Sequence, residues 1–553
     1  MLMMKNKILF AALAVFCVAW LGGCGGGGSA SNTGTPGTPA TPGTPGGTVS
    51  TAEQDAFNVG YFAYNAVNYS AAAIALDSFI ATYPDSSLVD EAYYYLGRSL
   101  YYQNDFTGAL AKLEILLLNF PTSINADSAQ YWIGRSLQQQ ANAKYTAGDI
   151  AGAATAFSAA RTAYQAVIAN YPLSTALHPY CRYQIGLTYY DENKFALAIP
   201  EFQAVVTNDP ASNAADGAQY YLARAYHNLA QVSLLAADFT RARTEYAKLI
   251  TNYPLSIFLD NAQYQIGKTH YDEAAYTLAI AQFDYVLANY ATSSYADSAQ
   301  YYKARSIHGN AQVSLLAADF TRARTEYAKL ITNYPLSIFL DNAQYQIGKT
   351  HYDEANYVAA ITQFDLVLAN YATSTVVDET RYYKARSINA LALVPTAGYT
   401  LTQARTEYAS LITAYPLSIF ADNAQYRIGK TYYDELNYSA AITEWNTLLT
   451  TYTGTSYTNE AQYYTGRSYH KLANFGAART AYTAAIAFDP TSIFSDNAKY
   501  YFALTYHDST QCTLELAAMQ AFVAAYPLST FVATANTHIN DLQGAKSTHA
   551  TCI

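Results

Sequence analysis

Small and apolar residues recur three and four positions apart through residues 51–543, the spacing of one face of an α-helix. The pattern breaks at intervals, usually on a Tyr-Pro or Phe-Pro pair, and a proline beyond a helix ends it. The breaks fall at Pro84, Pro121, Pro172, Pro210, Pro254, Pro335, Pro416, Pro490 and Pro527, with Ala291, Ala372 and Thr453 in the same slot. Thirteen residues after most breaks stands a small residue, as at Gly97, Gly134, Gly267, Ala304 and Gly429. Twelve residues before most breaks stands alanine, as at Ala109, Ala198, Ala279 and Ala441, with an aromatic four later in most units. Each unit therefore predicts two amphipathic helices, A then B, with the small residue on A where B must come close.

Successive breaks are 37, 51, 38, 44, 37, 44, 37, 44, 37, 37 and 37 residues apart. The extra residues fall between the small position and the alanine, so the inserts lie at the A–B hairpin and come in sevens. Seven residues shared between two antiparallel helices lengthen each by about one turn and keep both apolar faces in phase. Longer hairpins, not loops, are the expectation. Ala230–Ala274 and Ala311–Ala355 are identical, so part of the array is an internal duplication. Two residues after each break comes serine (Thr455 once), and four later usually aspartate; serine is expected to cap helix A and aspartate to complement its dipole.

A helix pair with a small residue mid-A, alanine and then an aromatic in B, and a closing proline resembles the tetratricopeptide repeat. The resemblance implies an all-α fold: a right-handed tetratricopeptide solenoid of about twelve helix pairs plus a terminal helix over residues 51–543, acting as an extended scaffold.

The ends add an address. Lys5 and Lys7 precede an apolar run from Ile8 to Leu21, a targeting segment over residues 1–23. Leu21-Gly22-Gly23-Cys24 resembles a bacterial lipobox, which implies lipidation of Cys24, and Gly25 in that logic implies delivery to the outer membrane, with the body on the periplasmic side or, alternatively, at the cell surface. Residues 24–50 are nearly all Gly, Pro, Thr, Ser and Ala, a flexible tether. Residues 544–553 form a C-terminal tail. Cys512 and Cys552 either pair as a disulfide, which a periplasmic setting permits, or remain two thiols.

Charged residues are only 13% of the chain and the net charge is −10, which argues against a nucleic-acid partner. Tyrosine stands out, with 55 copies. Three rows recur on helix A. Three residues before the small position stand Tyr94, Tyr131, Tyr220, Tyr264, Tyr301, Tyr345, Tyr382, Tyr426 and Tyr463. One residue after it stand Arg98, Arg135, Arg224, Lys268, Arg305, Lys349, Arg386, Lys430 and Arg467, with Leu187 and Leu504 breaking the row. Three further on come an aromatic or histidine, among them Tyr271, Tyr352 and Tyr433. Tyrosine and base are i, i+4 neighbours. In tetratricopeptide proteins this face resembles the ligand-facing surface, so the rows outline a partner-binding groove of arginine forks and tyrosine rings. The alternative is that tyrosine packs between helices and its hydroxyl satisfies the base.

Asp191-Glu192, Asp272-Glu273, Asp353-Glu354 and Asp434-Glu435 sit at A–B turns, as turn residues, an acidic edge or weak cation sites. Nearly every polar residue is periodic, whereas a catalytic residue is singular, so no enzyme, cofactor or metal is expected. The unit text resembles tetratricopeptide lipoproteins of the BamD class, which serve outer-membrane protein assembly, and of the CpoB type. That resemblance implies a scaffold for other envelope proteins, binding their unfolded or extended segments and acidic groups. A polysaccharide- or peptidoglycan-binding tetratricopeptide lipoprotein of the export or cell-division type is the alternative.

Overall fold

The structure, a computed structural model, describes residues 49–394 and 396–544. The targeting segment, Cys24, the tether and Cys552 lie outside these residues. The chain divides into two compact units, residues 1–295 and 296–553. The first contains α1 (Thr51–Asn65), α2 (Tyr69–Thr82), α3 (Val89–Tyr102), α4 (Phe106–Asn119), α5 (Ala126–Thr146), α6 (Ile150–Asn170), α7 (His178–Asp191), α8 (Phe195–Asn208), α9 (Ala215–Ser233), α10 (Ala236–Asn252), α11 (Leu259–Asp272) and α12 (Tyr276–Asn289). The second contains α13 (Ala296–Ser314), α14 (Ala317–Asn333), α15 (Leu340–Asp353), α16 (Tyr357–Asn370), α17 (Val377–Ala392), α18 (Leu401–Ala414), α19 (Ala421–Asp434), α20 (Tyr438–Thr451), α21 (Thr458–Lys471), α22 (Phe475–Phe488), α23 (Ile493–Asp508), α24 (Cys512–Ala525) and α25 (Val532–Gln543). Odd-numbered helices are the A helices and even-numbered ones the B helices, with α25 closing the array. Among the described residues there is no strand.

Each pair meets where the pattern placed the small residue. A methyl group built on Gly267 would lie 2.6 Å from the Phe283 ring, and one on Gly429 would lie 2.5 Å from Trp445. Those rings are fully buried and sit four residues after Ala279 and Ala441, themselves fully buried. The indole N–H of Trp445 donates to the Tyr426 carbonyl at 3.1 Å, so the ring brings no unsatisfied polar atom into the core. Where the A residue is alanine at Ala223 and Ala385, a buried tyrosine packs in the same cluster, Tyr246 and Tyr408.

Helices of an ordinary unit run 14 residues, whereas α5 and α6 run 21 each, and α9 and α10 run 19 and 17. The inserts are helical there, as the period of seven predicts. The next long pair, α13 and α14, repeats the lengths of α9 and α10. The fourth long unit departs from the expectation: α17 is 16 residues and α18 is 14, and the insert forms a connection between Ala392 and Leu401. That stretch contains Pro395, which disfavours helix in the residue before it, and Gly398, whose φ is +74°.

Ser492 caps its own A helix, α23, by accepting from the Phe494 N–H, but most of the serines do not cap theirs. Many accept a backbone N–H two residues on, as Ser256 does from Phe258 at 3.2 Å, and donate the hydroxyl to the aspartate one unit earlier, although Ser212 Oγ is buried without a partner. Ser256 reaches Asp216 at 2.9 Å, Ser293 reaches Asp260 at 2.6 Å, Ser374 reaches Asp341 at 2.5 Å and Ser418 reaches Asp378 at 2.7 Å. A residue that read as a local cap is therefore a rung between neighbouring units. Ser50 caps α1 with a capping box, and most other side-chain caps sit on B helices, where Asn68, Asp105, Asp149, Asn437 and Asn474 accept from the third helical amide.

Candidate functional site

The A-helix tyrosines are core, not lining. Tyr94, Tyr131, Tyr220, Tyr264, Tyr301, Tyr345, Tyr382, Tyr426 and Tyr463 are all buried, at 2–9% exposure. The reason is an inter-unit stack. Tyr220 lies on Phe258 at 4.6 Å between centroids, Tyr301 on Phe339 at 4.6 Å, Tyr382 on Phe420 at 4.7 Å and Tyr426 on Tyr457 at 5.1 Å. The partner ring stands four residues after the following break. Each ring seals one unit against the next, so its face is not open to a ligand, and the groove floor expected of these tyrosines is corrected to packing. Three of their hydroxyls accept from the base row: Arg98 donates to Tyr94 at 3.1 Å, Arg135 to Tyr131 at 3.3 Å and Arg467 to Tyr463 at 3.0 Å, whereas the Tyr426 hydroxyl donates to Glu460 and that of Tyr220 is buried without a partner.

The bases are half-buried and lie among rings that the three rows missed. Arg98 sits 4.9 Å above Trp132 and 5.1 Å above Tyr64; Arg467 sits 3.7 Å above Tyr501; Arg224 sits 5.3 Å above Tyr190 and 5.6 Å above Tyr221. Arg386 lies between Tyr352 at 5.2 Å and Tyr383 at 5.8 Å. Arg305 lies over Tyr301 at 5.7 Å. Trp132, Tyr221, Tyr383, Tyr464 and Tyr501 form a fourth row, two residues before the small position. Its signal was visible in the doublets Tyr-Trp and Tyr-Tyr, of which only the first member had been assigned. Cation and ring are attracted electrostatically, more so when desolvated. Of the third row, Tyr101 is buried against Trp132, and Tyr271, Tyr352 and Tyr433 are half-buried rings beneath the lysines.

Arginine and lysine rungs differ. Lys268, Lys349 and Lys430 each form an ion pair with the aspartate four residues on, Asp272, Asp353 and Asp434. Asp272 also bonds His227 at 2.9 Å, and Asp353 bonds His308 at 3.0 Å, both from the preceding A helix. Burial alone would raise the Asp353 carboxyl, but His308 and Lys349 outweigh it and hold it at about 2. Burial lowers both histidines, with the aspartate hydrogen bond opposing it in part. By contrast Arg98, Arg135, Arg224, Arg386 and Arg467 have no ion pair with a carboxylate among the described residues. The Nε of Arg98 and of Arg135 is buried without a hydrogen-bond partner.

The acidic pairs are neither an open acidic edge nor simple turn residues. The glutamate of each pair is clamped by an arginine of the preceding B helix: Glu192 by Arg161 at 2.5 Å, Glu273 by Arg243 at 2.9 Å, Glu354 by Arg324 at 2.9 Å and Glu435 by Arg405 at 2.7 Å. Arg161 and Arg405 also lie 4.3 Å and 4.2 Å over Tyr189 and Tyr432. Neutralised carboxylates offer a cation little. Asp191 is the exception, because Leu187 stands where other units carry the base; burial pushes its carboxyl up to about 7, with Arg224 opposing and Glu192 reinforcing.

Cys181 is a buried free thiol, and burial pushes it up to about 12. The proposed partner of Cys512, Cys552, lies outside the described residues. No helix among them is long and apolar enough to cross a membrane.

The family model described as an outer membrane lipoprotein, YfiO, matches residues 50–177 and 303–484, and a tetratricopeptide-repeat model matches residues 218–256. No curated protein matches the chain. Similar solved structures include the C-terminal part of a tetratricopeptide repeat-containing protein from Cytophaga hutchinsonii, 17% identical over 57% of this chain and 98% of that one, with a TM-score of 0.35. A tetratricopeptide repeat protein from Parabacteroides merdae is 13% identical over 52% of this chain and 98% of its own, with a TM-score of 0.32. The Cut9–Hcn1 tetramer of the APC/C is 11% identical over 90% and 97%, with a TM-score of 0.30.

Proposed function

This chain belongs to the YfiO family of outer membrane lipoproteins, and we propose on that premise that it is a lipid-anchored scaffold serving outer-membrane protein assembly. Cys24 carries the lipid and residues 25–50 let the repeat array reach away from the membrane. Each of the two units holds extended segments of other envelope proteins along the A-helix face of its own helices. The observation that carries this reading is the set of arginines, Arg98, Arg135, Arg224, Arg386 and Arg467, stacked among rings and, among the described residues, in no ion pair with a carboxylate. A planar fork held by rings is already ordered, so pairing with a partner's carboxylate or chain carbonyl loses little side-chain entropy. The lysine rungs, already neutralised, keep neighbouring units in register. The ring faces of the ladder are largely taken by other rings and guanidiniums, which favours a polypeptide partner over a stacked glycan.

The test is photo-crosslinking from sites beside Arg386 and Arg467, against control sites on the exposed faces of α18 and α22. The bait is a denatured outer-membrane β-barrel polypeptide diluted onto the full chain. Adducts confined to the A-helix sites support the reading. Equal adducts from both faces, or none, overturn it.

A further inference from the structure

One polar cluster breaks the periodicity. The slot twelve residues before a break holds a fully buried alanine in unit after unit, including Ala404, Ala441 and Ala478. In the last pair that slot holds Glu515, a carboxylate with 1% exposure. Placing an ionised group at the closest approach of two helices is costly unless it is matched. Two histidines match it. His507 Nδ1, from α23, and His538 Nδ1, from α25, each lie 2.9 Å from the same oxygen, Oε1 of Glu515 on α24. His507 occupies the third-row position that is tyrosine in many units, and His538 occupies the fourth-row position, also usually aromatic. Two departures from the repeat, Glu515 and His538, therefore converge with a third-row histidine on one point.

We propose that His507, Glu515 and His538 bind a divalent transition-metal ion of the zinc class and so fasten the closing helix α25 to the last helix pair. Two imidazoles and a carboxylate suit such an ion. Their ligand atoms all lie within 4.8 Å of one another, and bonds of about 2.0–2.2 Å set neighbouring ligands roughly 3.3 Å apart in a tetrahedron. Small side-chain rotations reach that spacing. The carboxylate forms the inner wall, while the histidines, with side chains 27% and 20% exposed, form the outer one. An ion enters from solvent and keeps an open position there. The role is structural: α25 has a single buried residue, Ala535, to anchor its own packing. Binding three ligands from three helices favours only the folded end of the array.

The repeat supplies substitutions that the fold already accepts elsewhere. Glu515→Ala restores the alanine of the other units, and His507→Tyr and His538→Tyr restore their aromatics. The full chain in detergent, stripped with chelator, is titrated with Zn²⁺ and, separately, with Co²⁺, whose visible absorption reports nitrogen and oxygen ligation. The expected result is one equivalent bound per wild-type chain and slower hydrogen exchange in α25. Each variant should bind less than a tenth of an equivalent at the same ion concentration and show no change in α25, with helical content unchanged. Wild type that binds no ion, or variants that bind as wild type does, would reduce the cluster to a hydrogen-bonded bracket and overturn the proposal.

Discussion

Arg161→Met removes the base from an ion pair whose side chains are only 10% and 6% exposed. Leaving one charge of a buried pair costs about 3–5 kcal/mol. Here Lys194, 2.7 Å from Glu192, keeps part of the compensation, but its side chain is 46% exposed and screened. Loss of the Tyr189 stack adds about 0.5–1 kcal/mol, so the net cost is about 3 kcal/mol. The same substitution at Arg405 strands Glu435, whose side chain is 35% exposed and can rehydrate. That change should cost about 1 kcal/mol. Repeat arrays open locally, so the assay is hydrogen exchange of peptides from α6–α7 and α18–α19 rather than a single melting point. Arg161→Met should speed exchange at α6–α7 about a hundredfold, and Arg405→Met about fivefold at α18–α19. Adding Glu192→Leu to Arg161→Met should recover most of the loss, because an apolar pair needs no charge matched. Equal acceleration at both sites, or a double variant worse than the single, would refute the clamp as drawn.

Gly429→Ala drives a methyl group to 2.5 Å from the fully buried Trp445 and should destabilise by about 1–3 kcal/mol, read as faster exchange in α19–α20. Asp191 has a carboxyl raised to about 7, so on going from about pH 4 to 7 the unfolded chain releases this proton first and stability falls. Asp191→Asn should match wild type below pH 4 and exceed it above pH 7 in urea unfolding; a pH-independent difference would remove burial of this charge as the cause. Val67 holds φ at +62° in the α1–α2 turn, a conformation that costs an L residue about 1–2 kcal/mol and asparagine less. Val67→Asn should therefore slow exchange in α1–α2, and faster exchange would contradict the assignment of strain.

The hairpins and most of their lengths were legible because burial repeats with helical period: Gly267 and Ala279 read as close-approach residues and are so. The Ser–Asp rungs were misread as caps because a serine before a helix looks the same whether it bonds forward along the chain or back to the preceding unit. The ladder was half legible. Row membership of Tyr345 or Arg386 is a matter of spacing, but which ring is buried depends on the neighbour's Phe420 or Tyr383, which spacing within one unit does not reveal. Glu515 is illegible for the opposite reason: it departs from the repeat, and its partners His507 and His538 come from two other helices.

The claim that arginine rungs recognise a partner while lysine rungs hold units in register is tested most directly by paired neutralisation in residues 296–553. Binding of a labelled extended segment of an outer-membrane β-barrel protein, by fluorescence anisotropy, is compared for wild type, Arg386→Gln with Arg467→Gln, and Lys349→Gln with Lys430→Gln. Each charge-assisted hydrogen bond contributes about 1.5–3 kcal/mol, so the arginine pair should weaken binding at least about tenfold and flatten its salt dependence. The lysine pair should leave affinity within about twofold, its charges being already matched by Asp353 and Asp434. Equal losses in both variants, or none in the arginine variant, would contradict the division of roles.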